Sequence, residues 1–169
     1  KKALSGRNVD VFWNCSMAER PDIILYYFPR SCSLAVHIAL EEAGYDYSRQ
    51  LVDLRSKAHK RPEYLAINPA GAVPALIIGG QLLTETQAIL TFIGDTAPAG
   101  PLLPPIGHED RYRAHQWMNF LSSSVHVYIR SIFRPSAYAP VGDAPAQAAV
   151  KRQGHANLAA AVATVEARL

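Results

Sequence analysis

The chain is 169 residues long, with 49% hydrophobic and 18% charged residues, a balance that builds a packed core in one domain or two small ones and excludes a peptide-sized scaffold or a persistently disordered chain. Lys and Arg number 17 against 14 Asp and Glu, a net charge of +3 that suits small anionic ligands; the cations are scattered, with no basic stripe interleaved with aromatics, so nucleic acid is not an expected partner. Two cysteines, Cys15 and Cys32, exclude a disulfide-rich secreted scaffold, no Cys/His spacing suggests a metal site, and no run reaches the roughly 18 apolar residues of a membrane span, so a cytoplasmic protein without metal or membrane association is expected.

Residues 1–22 fit neither a helical nor an alternating period and are expected to form a poorly ordered leader, with 1–16 an upstream extension before Met17. Ile23–Phe28, apolar and aromatic and closed by Pro29, predicts a buried strand. Leu34, Ala35, Ile38, Ala39 and Ala43 recur at helical spacing, and Gly44 supplies the stop. Tyr45–Leu54 then reads as a second strand, parallel to the first because a helix intervenes. A short helical turn over Pro62–Ile67 is broken by Asn68-Pro69-Ala70-Gly71.

Val73–Ile78 and Gln81–Leu83 flank Gly79-Gly80 and predict a hairpin. A helix follows from Thr84, with Ala88, Ile89, Phe92 and Ile93 on one side, and ends before Pro98. Pro, Gly and Ala dominate 97–107, the expected linker. Beyond it, Glu109–Phe133 carries Trp117, Phe120, Leu121, Val125, Tyr128 and Ile132 at helical steps with Pro135 as the stop, and Ala144–Leu169 carries Leu158, Val162, Val165 and Leu169. The fold class is therefore α/β plus all-α: a βαβ-ββα domain over 23–99, a linker over 100–107 and a partial helical domain over 108–169. The last helix stops at Leu169 without a cap or a polar tail and reads as truncated.

Cys32 stands between a strand end and a helix start, where unpaired N–H groups and the helix dipole favour a thiolate and Arg30 pushes the same way; the competing reading is a buried, inert thiol. If the Val73–Pro74 bond is cis, Val73 offers its backbone to an extended peptide; if trans, the proline merely opens an edge strand. Glu85-Thr86 either caps its helix or holds a ligand, the exposed N–H groups and Thr86 hydroxyl taking a carboxylate and Glu85 an ammonium. His126, within an apolar stripe, reads first as a packed residue. The basic run Arg55–Arg61 is either a solvated loop or an anion clamp.

Together, Tyr27, Pro29, Cys32-Ser33-Leu34-Ala35, Ile38-Ala39-Leu40-Glu41, Asn68-Pro69-Ala70-Gly71, Val73-Pro74-Ala75-Leu76, Leu83-Thr84-Glu85 and Ala88-Ile89 resemble the glutathione transferase family, its bacterial beta class most of all. In the helical half, Arg111-Tyr112, Gln116–Phe120, His126 and Phe133-Arg134-Pro135 look like that class's first long helix. The resemblance implies a thioredoxin-like N-terminal domain that binds glutathione as co-substrate, a helical bundle domain, a homodimer, and a hydrophobic electrophile or a disulfide as second substrate. It implies catalytic roles for Cys32, His126 and Tyr27. For glutathione it implies contacts from Val73 before a cis Pro74, Glu85-Thr86 at the γ-glutamyl end, Lys57 near the glycyl carboxylate, and Asn119.

Three positions depart from the family's pattern: Thr86 stands for a serine, Ala70 for the lysine of Asn-Pro-Lys-Gly, and Val127 for a lysine after the histidine. Two alternatives accompany the transferase reading. One is a glutathione-dependent isomerase of the zeta type, which Ser31-Cys32-Ser33 fits and Ala35 and His37 oppose; the other is a non-catalytic glutathione-fold binding module.

Overall fold

The computed structural model describes residues 22–168, so all of the expected leader except Asp22 lies outside the described residues. They divide into two compact units between Gly100 and Pro101.

The first unit holds four strands, β1 (Ile23–Tyr27), β2 (Ser48–Leu51), β3 (Ala75–Ile78) and β4 (Gln81–Thr84), in the order β2-β1-β3-β4. β1 pairs parallel with β2 and antiparallel with β3, and β3 pairs antiparallel with β4. The hairpin between β3 and β4 turns on Gly79 (φ 54°) and Gly80 (φ 82°), left-handed values that a two-residue turn of this hand requires. β2 is shorter than expected and every residue in it is exposed, as befits an edge strand.

Helix α1 (Ser33–Glu42) ends in a Schellman cap: Tyr45 N–H donates to the Leu40 carbonyl at 3.1 Å and Gly44 N–H to that of Glu41 at 3.1 Å, with Gly44 at φ 70°. Its inward face differs from the expected stripe. Ser33, Val36, Leu40 and Ala43 are buried, whereas Leu34 and Ile38 are 53% and 54% exposed. The core joins Val36 and Leu40 to Ile23, Leu25, Leu76, Ile89 and Ile93, the last two from α3 (Thr86–Thr96). On α3 only Ile89 and Ile93 of the expected face are fully inside. Between β2 and β3 run a 3-10 turn (Ala58–Lys60) and the four-residue α2 (Pro62–Leu65).

In the second unit the expected single helix is three pieces: α4 (Glu109–Phe120), a π-helical turn (Leu121–Val125) and α5 (His126–Phe133). Ser122 and Ser123 hydroxyls donate to the Asn119 carbonyl at 3.2 and 2.7 Å, side-chain bonds that compete with the regular ladder. Helix α6 (Ala144–Glu166) is capped by the Asp143 carboxylate, which accepts Ala146 N–H at 2.9 Å, and packs on α5. Its buried residues are the small Gly154 and Ala161; the expected Val162 is 46% exposed. No described helix is long and apolar enough to cross a membrane.

Candidate active site

Strand register brings the first unit's candidate residues to one end of the sheet. Tyr26 of β1 is aligned with Ala75 of β3, and Ala75 with Thr84 of β4. The β1 end that leads to Cys32, the β3 start preceded by Val73-Pro74, and the β4 end followed by Glu85-Thr86 are therefore neighbours in one row. The parallel pairing of Tyr27 with Leu51 places the end of β2, and the chain leading to Lys57, at the same edge.

The Val73–Pro74 peptide bond is cis, and Pro74 is buried. Glu85 sits at the N-cap position of α3 without making a cap hydrogen bond, at φ 66° and ψ 117°, a left-handed backbone that strains a residue with a Cβ. Capping therefore does not account for Glu85. Its side chain is exposed, and among the described residues neither it nor the Thr86 hydroxyl is hydrogen-bonded to another protein group. Lys57 is exposed and also left-handed, at φ 58°.

Cys32 is half-buried and forms no disulfide among the described residues. Of the two sequence readings, an easily ionised thiol and a buried one, burial favours the second: it pushes the Cys32 thiol above its ordinary value, and the hydrogen bond from its own backbone N–H offsets only part of that.

Sequence reasoning missed what holds the loop before Cys32. Ser33 Oγ accepts Phe28 N–H at 3.1 Å and lies 3.0 Å from the Phe28 carbonyl, to which Ser31 Oγ donates at 2.8 Å; the two serine oxygens are 2.7 Å apart. The Ser-Cys-Ser spacing was its only signal. Tyr27 is half-buried, its ring 6.1 Å from that of His37, and both line a half-open pocket of about 290 Å³ with Phe28, Pro29, Arg30, Ser33 and Leu34. His37 in turn meets Arg49 at 3.2 Å and Glu41 at 3.5 Å. Tyr47 donates to Glu41 at 2.6 Å, and burial first, then that carboxylate, pushes its hydroxyl well above the usual phenol range.

His126 and Asn119 belong to the second unit. His126 is exposed rather than packed into an apolar stripe, and it opens α5 directly after the π-helical turn. Asn119 is exposed and its amide donates to the His115 carbonyl at 2.8 Å. Among the described residues no group of three or more His, Cys, Asp or Glu is placed to hold a metal ion.

Residues 21–95 match the family model for the N-terminal domain of glutathione S-transferase. Glutathione S-transferase GstA of Escherichia coli O157:H7 is 41% identical over 113 residues, 66% of this chain and 56% of that protein. Maleylacetoacetate isomerase of Rhizobium meliloti is 40% identical over 108 residues, 62% of this chain and 49% of that protein. The chain thus spans about half the length of these curated relatives. A glutathione transferase homologue from Sulfitobacter, solved with bound glutathione, superposes with a TM-score of 0.77 at 34% identity, covering 86% of this chain and 69% of that one. By its N-terminal domain, its strand order and these likenesses, the chain belongs to the glutathione transferase family.

Proposed function

We propose that the chain binds glutathione across the sheet end and activates its thiol, for conjugation to a small hydrophobic electrophile or for thiol–disulfide exchange. The observation that carries this is Glu85, a strained, exposed carboxylate that caps nothing and stands beside the cis Val73–Pro74 segment in the register. Strained backbone persists where a site requires it. Glutathione presents two carboxylates, an ammonium and a thiol of ordinary high pKa, so its catalyst must bind charge at both ends and favour the thiolate. Three neighbouring strand ends span about 10 Å, close to the length of an extended tripeptide.

In this arrangement the Val73 main chain pairs with the peptide, and Pro74 holds that edge. Glu85 meets the γ-glutamyl ammonium, while Thr86 and the first-turn N–H groups of α3 meet the γ-glutamyl carboxylate. Lys57 takes the glycyl carboxylate. The glutathione thiol gives its proton to solvent, and a protonated Cys32 then donates its S–H to the glutathione thiolate, which stabilises the nucleophile. Conjugation follows by attack of the glutathione thiolate on an electrophilic carbon, the new S–C bond replacing a bond to a leaving anion such as chloride, which departs to solvent. In exchange, the same sulfur attacks a disulfide and releases the other half as a thiolate. Tyr27 and His126 are the remaining catalytic candidates and Asn119 a further glutathione contact. The same reading carries a homodimer in the cytoplasm.

A second reading, a glutathione-dependent isomerase of the zeta type, is favoured by the likeness to the Rhizobium meliloti isomerase and by the two serine hydroxyls flanking Cys32. The test is retention on immobilised glutathione, followed by conjugation of a chlorinated nitroaromatic and reduction of a mixed disulfide, with Cys32→Ala and His126→Ala in parallel. Retention with turnover is expected. Retention without either activity would reduce the protein to a binding module, and a folded chain that is not retained would overturn the proposal.

A further inference from the structure

The segment ahead of Val73 is held from behind by side chains that take no part in the chemistry above. Tyr64 Oη donates to the Ala72 carbonyl at 2.7 Å, and Asn68 Nδ2 donates to the same oxygen at 2.9 Å. Asn68 is only 2% exposed, and its Oδ1 accepts Ala70 N–H at 3.1 Å, so one buried amide spans the turn. The Lys60 ammonium donates to the Gly71 carbonyl at 3.1 Å. Gly71 has φ 56°, and a Cβ there would come within 2.6 Å of the His59 carbonyl oxygen, so the turn is closely packed. The Tyr64 ring is buried and lies 5.7 Å from that of Tyr26, which ties the clamp to β1.

The Ala72 carbonyl and the Val73 N–H share one rigid trans peptide plane, and in such a plane the two groups point in opposite directions. Two donors converging on the oxygen therefore fix the direction of the N–H. Among the described residues Val73 N–H donates to no protein acceptor. We propose that Tyr64 and Asn68 are positioning residues for glutathione: by pinning the Ala72 carbonyl they aim the Val73 N–H at the bound peptide, without either side chain touching it. The proposal rests on the reading that glutathione pairs with the Val73 main chain.

The test compares the full chain with Tyr64→Phe, Asn68→Asp and the double variant. Glutathione affinity is measured by calorimetry, KM and kcat by steady-state conjugation, and fold by circular dichroism and thermal melting. Tyr64→Phe keeps the ring against Tyr26 and removes one donor; Asn68→Asp keeps the acceptor for Ala70 N–H and replaces the donor. Each is expected to raise the glutathione Kd and KM about five- to tenfold, with kcat at saturation within about twofold of the parent and a larger loss in the double variant. A folded Tyr64→Phe with the parent's Kd would overturn the proposal, as would variants whose losses fall in kcat or Tm alone. Absence of glutathione binding by the parent is a separate outcome, and it overturns the functional reading itself.

Discussion

Ser33 closes the first crossover onto Phe28, its hydroxyl accepting the Phe28 N–H at 3.1 Å from a position only 1% exposed. The bond ties the first turn of α1 to the end of β1 and so fixes the loop that carries Cys32. Ser33→Ala leaves that N–H without a partner in a place water reaches poorly. The expected loss is about 1–3 kcal/mol, read from urea or thermal unfolding. Ser31→Ala should cost less, because the Phe28 carbonyl keeps Ser33 within 3.0 Å.

The ionisation of Cys32 gives a pH dependence of definite sign. Burial raises the folded-state pKa above the ordinary thiol value of 9.0, so the fold favours the protonated form. This contribution is fully present below the unfolded thiol's pKa and is lost as pH rises through the folded one. Alkylation by iodoacetamide should therefore still be accelerating above pH 9.0 in the free chain, with no plateau near neutrality. A plateau at pH 7 would show that the helix end outweighs burial.

Glu85 sets stability against function. Glycine accepts φ 66° without a Cβ penalty, so Glu85→Gly should stabilise the first unit by about 1 kcal/mol. It should also weaken glutathione binding by about tenfold or more through the lost charge-assisted contact. Thermal melting and calorimetry on the same sample check both halves. A variant that melts lower and binds equally well would remove Glu85 from the site.

In the second unit, Gly154 lets α6 approach α5 closely: a Cβ there would collide with Ser131 Oγ and come within 2.9 Å of Ile132 Cγ1. Alanine is the better helix former by about 1 kcal/mol, whereas overpacking costs about 1–3 kcal/mol. The clash should win, and Gly154→Ala should unfold at lower denaturant concentration than the parent.

Much of this architecture was legible in the chain. Proline and glycine mark its boundaries strongly: Gly44 sits in the predicted helix stop, and Gly79-Gly80 form the predicted hairpin turn. The buried face of α1 was not legible, because that helix is apolar on two sides; Leu34 and Ile38 follow the helical period as well as Val36 and Leu40 do, and only packing against the sheet chooses between them. The π-helical turn leaves no periodic trace in Leu121-Ser122-Ser123-Ser124-Val125. Glu85 was visible as a residue type, but a cap and an ammonium ligand call for the same carboxylate, and only the folded backbone shows that no cap hydrogen bond forms there. The clamp of Tyr64 and Asn68 on Ala72 arises only once the 68–72 turn has folded.

The most direct test of the central claim is a titration of isotopically labelled chain with glutathione, followed by backbone amide shifts. A saturable, single-site response concentrated at Cys32, Val73, Glu85 and Thr86 is expected. A folded chain whose amides do not move, or move only away from that end of the sheet, would contradict it.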